Sequence, residues 1–242
     1  MNALRVGLLR QLDLPSGRFL LIDDELPDIG DWRRPKIFDP LKHAFNPLKG
    51  MTPRKAQELA EIFYTLSPQG ENTLTVRNGR RALRDALMEA PRLDKVKGDE
   101  EVEGMMGDVL FSPTLKRVLC DGNFNFDVKT PILARINRVE LGERDALILG
   151  LLLMLEYPHQ LVIPDMGFYG RDIHTRIVRE DRLIAGVNFL SELPPRLRDM
   201  MLLIPDKEGD GTIVEDAETL AKFENLIKGT RGYSEFVEET TG

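Results

Sequence analysis

Acids stand at the ends of three short apolar runs. Asp165 follows Leu161-Val162-Ile163-Pro164, the pair Asp23-Asp24 follows Phe19-Leu20-Leu21-Ile22, and Asp39 follows Ile37-Phe38. Apolar runs without polar alternation predict strands buried on both faces of a parallel sheet. In an open α/β sheet the carboxyl ends of such strands face the ligand crevice. An Asp placed there can hold Mg²⁺ through its water shell beside a bound phosphate. The competing role for Asp165 is a turn cap ahead of Gly167, because Asp commonly serves turns.

Two basic groups could contact phosphate. Arg80, Arg81 and Arg84, with Arg77 just before them, would share one face of a helix and could follow a nucleic-acid backbone. Asp85 and Glu89 lie close by, so a solvated helix face explains the same residues. Arg171, Arg176, Arg179 and Arg182 follow the Asp165 strand, with Glu180 and Asp181 available for surface pairing. Asp206, Glu208, Asp210 and Gly211 match the opening positions of a calcium-binding loop, but Ala217 stands where its bidentate Glu belongs. A Gly-rich exposed turn is the competing reading of that segment. His43, His159 and His174 have no metal-like spacing, and Cys120 reads as a small core residue.

The chain has 242 residues, 42% apolar and 30% charged, with a formal charge of -7. This suits one large globular domain, or one domain with a sizeable insertion. The acidic balance argues against nonspecific coating of nucleic acid. One cysteine excludes an internal disulfide framework and a Cys-based zinc site. No secretory signal is legible, and the longest apolar run, residues 146–155, is too short to span a bilayer. The expected location is the cytoplasm.

The elements that must position these acids alternate between strands and helices. Leu4, Leu8, Leu9 and Leu12 predict a helix at the start of the chain. Strands follow at 18–24 and 35–40, and an extended loop at 43–48 is enforced by the residue before Pro47. Thr52 as N-cap and Pro53 at the first helical position open a helix whose inner face is Ala56, Leu59, Ala60, Ile62 and Phe63. Further helices are expected at 79–89, 100–111, 113–119 and 143–156, with a candidate sheet strand at 132–136. After the Asp165 strand and a loop at 166–170, the pattern predicts a helix at 171–184. Strands at 185–191 and 201–204, a short helix at 196–200 and an amphipathic helix at 219–228 come next. The expected organisation is an α/β core formed by 1–52 and 157–228, a mainly helical insertion at 53–156 from which 132–136 could return to the sheet, and a loose tail at 229–242.

Taken in order, these motifs resemble a known family. Asn2-Ala3-Leu4-Arg5-Val6-Gly7-Leu8-Leu9 is similar to the helix after a phosphate-binding loop, and Phe19-Leu20-Leu21-Ile22-Asp23-Asp24 to the next strand. Ile37-Phe38-Asp39-Pro40 with Phe45-Asn46-Pro47-Leu48 resembles a paired signature of the coupling ATPases of conjugation and type IV secretion. These are P-loop motors of the HerA/FtsK kind that form rings and move DNA. A helical insertion after the Asn-Pro-Leu belongs to the same pattern. Leu161-Val162-Ile163-Pro164-Asp165 falls at Walker B, residues 182–187 at an arginine-glycine segment, and residues 189–194 at the sensor strand.

The resemblance, spanning roughly residues 2–204, implies a RecA-like P-loop core with a central, mainly parallel sheet. It implies ATP and Mg²⁺ as cofactors, Asp165 as the Mg²⁺-side acid, and Asn2, Asp23 and Asp39 near the nucleotide. Arg182 would be an inter-subunit finger and Glu192 a second candidate acid, against its alternative as a turn residue. The partners implied are further copies in a ring and DNA of a mobile element.

Two positions depart from the family. No Gly-Lys-Ser or Gly-Lys-Thr occurs anywhere, so the nest of backbone N–H groups and the Lys that hold phosphates are missing. Met166 takes the place of the Walker B Glu, and a thioether cannot act as a base. One explanation is a fragment or mis-started frame whose phosphate loop lies upstream, which a helix starting at Met1 favours. The other is a degenerate member kept as a non-catalytic assembly subunit, which Met166 favours.

Overall fold

A computed structural model describes residues 18–26, 35–66, 73–120, 122, 124–126, 129–169 and 183–185, without the side chains of 65, 73–77 and 183–185. Five strands form one sheet: β1 (Phe19–Asp23), β2 (Lys36–Phe38), β3 (Ile132–Arg135), β4 (Gln160–Ile163) and β5 (Leu183–Ala185). Their order is β2-β3-β1-β4-β5, and every neighbouring pair is parallel. The α/β class with a parallel sheet is therefore as expected, and the candidate strand at 132–136 is an inner strand of that sheet.

The apolar runs behave as doubly buried strands. Phe19, Leu20, Leu21 and Ile22 are all at most 1% exposed, each burial contributing about 1.5–3 kcal/mol. Leu20, Ile22, Ile132, Ala134, Leu161 and Ile163 belong to the main core cluster. Leu21, Leu133 and Val162, which alternate with them, are equally buried on the opposite face. At the sheet's edge β2 departs from this rule, since Ile37 is half exposed while Phe38 is fully buried.

Four helices lie between β2 and β3: α1 (Pro53–Leu66), α2 (Thr73–Glu89), α3 (Glu100–Val109) and α4 (Pro113–Cys120). Two more, α5 (Arg138–Leu141) and α6 (Glu143–Glu156), connect β3 to β4. Both connections advance in the same direction across the sheet. With the usual right-handed crossover they must cover the same face, and α1 does pack against α6. The helical stretch shares one apolar cluster with the sheet.

Local chemistry explains where these helices start. Thr52 Oγ1 accepts from the Lys55 N–H at 3.2 Å, and Ala56, Leu59, Ala60, Ile62 and Phe63 are all at most 2% exposed. Asp99 caps α3 by accepting from the Val102 N–H. The helix α6 is apolar around most of its circumference and almost wholly buried, as such a helix must be. Lys55 Nζ meets Glu156 Oε2 at 2.6 Å and so ties the start of α1 to the end of α6. Burial holds the Glu156 carboxyl above its usual range, against the opposing pull of Lys55.

Three expectations change. The helix expected from 79 begins at Thr73. The loop expected at 166–170 contains a 3₁₀ turn, Met166–Tyr169, driven by burial of Met166 and Tyr169. Leu183 and Ile184 were expected to end a helix, but they pair with Leu161 and Val162 in β5. Cross-strand pairing overrides the mixed charge pattern there. The expected helices at 1–12, 196–200 and 219–228, the strands at 186–191 and 201–204, and the tail lie outside the described residues.

Candidate functional site

The strand order creates one reversal of direction. After β1 the chain travels toward β2, whereas after β4 it travels toward β5, although β1 and β4 are neighbours. A crevice at the carboxyl ends of such a pair is where open α/β sheets bind ligands. Leu21 is level with Val162, and carrying that register onward sets Asp24 level with Asp165.

The exit of β3 supplies the third wall. The Ile136 N–H donates to the Asp23 carbonyl at 2.7 Å, extending the β1–β3 ladder by one step. Asn137 then caps α5, its Oδ1 accepting from the N–H groups of Val139 and Glu140 at 3.0 Å. Its Nδ2 reaches the Asp24 carbonyl at 3.4 Å. This cap starts the helix at Arg138, and Gly142, with φ of 82°, turns the chain from α5 into α6. Arg135 at the end of β3 forms a two-pronged pair with Glu140.

Arg138 is the centre of the crevice. Its Nε donates to Asp24 Oδ2 at 2.7 Å, its Nη2 lies 2.5 Å from the same oxygen, and its Nη1 donates to Asp165 Oδ2 at 2.9 Å. The guanidinium also sits over the Phe168 ring, 4.7 Å from its centroid. The hydrogen bond to Asp24, ahead of the charge of Asp165, makes Arg138 still harder to deprotonate. Side-chain exposure is 33% for Arg138, 35% for Asp24 and 37% for Asp165, so the cluster is open to small solutes. Asp23 is buried beneath it, with Oδ1 accepting from the Asp24 N–H.

The turn after Asp165 is anchored from below. Met166 is fully buried in the core. Tyr169 packs on Gly150 of α6, where a Cβ would stand 2.2 Å from Tyr169 Cε1. Burial first, and then the charge of Asp24, pushes the Tyr169 hydroxyl well above its ordinary pKa.

The sequence-selected residues are thus divided. Asp23 and Asp165 come together at adjacent strand exits, with Asp24 facing the crevice more directly than Asp23. Asp39 ends the edge strand β2, three strand spacings from β4, or about 14 Å. Its Oδ1 accepts from the Leu41 N–H, its backbone N–H donates to His43 Nδ1, and Lys42 lies 3.6 Å away. Asn46 of the Asn-Pro-Leu segment accepts from the Leu48 N–H and donates to the Pro91 carbonyl. Both residues shape the loop from β2 to α1.

Arg80 pairs with Glu61 at 2.8 Å and Arg84 with Asp85 at 2.6 Å, while Arg81 is exposed. Asn2, Arg182, Glu192, Asp206, Glu208 and Asp210 lie outside the described residues. Arg138 was missed. Its signal was a polar pair, Asn137-Arg138, directly after a candidate strand, where Asn can start a helix.

A nucleotide's Mg²⁺ would compete with Arg138 for Asp165. One Asp165 oxygen, Oδ2, already accepts from Arg138. Among the described residues no group of three or more His, Cys, Asp or Glu side chains could hold a metal ion. Among them, too, no helix is long and apolar enough to cross a membrane. Compared with family models, curated proteins and solved structures, the chain finds no match in any of the three.

Proposed function

We propose that this chain is a degenerate P-loop ATPase-like module, related to the DNA-translocating motors of mobile elements, that serves as a non-hydrolysing assembly subunit. The observation that carries this reading is the pairing of Asp165 with Arg138. In a working nucleotide site that acid must face a metal cation, whereas here an internal guanidinium neutralises it. The burial of Met166 supports the same view, because the position after Asp165 points into the core and not at the crevice. A RecA-like core agrees with the parallel sheet and with an acid at the end of β4, next to β1. The DNA reading gains little from Arg80 and Arg84, which already lie against acids.

Calorimetry with ATP and Mg²⁺ tests the proposal. No binding at millimolar nucleotide is expected for the wild-type chain. Micromolar binding that Asp165→Asn removes would overturn the assembly reading in favour of an active motor core.

A further inference from the structure

We propose that Arg138 is a phosphate-directed group held shut by Asp24 and Asp165, so that neutralising those two carboxylates turns the β1/β4 crevice into a binding place for a phosphoanhydride. The inference deepens the proposed function and rests on its reading of the crevice as a nucleotide-type site.

Four observations converge on Arg138. It lies at the switch point of the sheet, where the fold places ligands. Its guanidinium offers the planar fork of N–H donors that matches phosphate oxygens. The Phe168 ring lies under the guanidinium without using its N–H donors, and the Asn137 cap starts the short helix that carries Arg138. At one-third exposure it can be reached from solvent.

What closes it is charge. Asp24 takes Nε and Nη2, and Asp165 takes Nη1. An arriving phosphate therefore meets two carboxylates around one guanidinium, and the balance is repulsive. Removing both negative charges, with the amide side chains keeping similar shape, leaves a lone oriented cation. The contact is autoinhibitory in this sense: the acids that hold the crevice together also exclude the ligand that its guanidinium would take.

The test uses metal-free sodium tripolyphosphate in EDTA, titrated calorimetrically at low salt. The wild-type chain should show no binding at millimolar probe. The variant Asp24→Asn/Asp165→Asn should bind at least tenfold more tightly than the wild type, and added salt should weaken that binding. Adding Arg138→Met to that variant should abolish the gain. A control that removes two exposed charges elsewhere, Glu103→Gln/Asp108→Asn, should show none.

If the double variant does not fold, Asp165→Asn alone is read in its place. A gain supports the proposal and no gain overturns it. A folded double variant with no gain, or with a gain that survives Arg138→Met, also overturns it. That failure leaves the assembly reading standing. Mg-ATP binding by the wild-type chain that Asp165→Asn removes instead sinks the assembly reading, so the two failures are distinguishable.

Discussion

Met166→Glu would place a Glu where the proposed likeness to a Walker B strand calls for one, and the structure says that it should cripple the fold instead. The Met166 side chain is 0% exposed and lies in the main apolar cluster. Losing its burial costs about 2 kcal/mol, and an unpartnered carboxyl in its place costs about 1–3 kcal/mol more. Burial also raises a carboxyl pKa by roughly 3–5 units. Ionising it near pH 7.5 then adds up to about 4 kcal/mol, at ~1.4 kcal/mol per unit. A loss of about 5 kcal/mol or more is expected, a large share of the ~5–15 kcal/mol that stabilises a domain.

Urea unfolding at several pH values reads this directly. The folded-state pKa of the new Glu would exceed its unfolded value, so the native state binds more protons. The variant's deficit should therefore shrink as pH falls from 7.5 toward ~4.3. Met166→Gln should lose part of the same stability without the pH dependence, and Met166→Leu should stay within ~1.5 kcal/mol of wild type. A Met166→Glu protein of near-normal stability with a flat pH profile would refute the burial argument. So would the appearance of ATP hydrolysis in that variant.

Other predictions concern how the crevice and helices are held. Gly150→Ala should destabilise by about 1–3 kcal/mol despite alanine's helix preference, because Tyr169 fills the space a Cβ needs; a stabilised variant in thermal melts would contradict that packing. Lys55→Met should cost about 3 kcal/mol by stranding the largely buried Glu156, whereas Lys55→Met/Glu156→Leu should recover most of it in urea unfolding. Because the Glu156 pKa is already raised in the folded state, wild-type stability should fall as pH rises from its unfolded value through the folded one. Glu156→Gln should flatten that part of the pH–stability curve.

The sequence by itself determined the layers. Unbroken apolar runs such as Phe19-Leu20-Leu21-Ile22 can be satisfied only by burial on both faces, and both faces are buried. Thr52-Pro53 and Asp99 start helices through hydrogen bonds made within four residues, so local pattern suffices there. The leucine-rich stretch of α6 likewise leaves no polar face to expose.

Strand order was not legible, because it depends on pairings between residues more than a hundred positions apart, such as Leu20 with Ile132 and with Leu161. Only that order brings Asp24 and Asp165 side by side and leaves Asp39 at the far edge. Only it puts Arg138, one position past a helix cap, between the two acids. The chain supplied acids that looked ready for a metal, and the tertiary structure gave them an arginine, because the exits of β1, β3 and β4 converge where like charges need a partner.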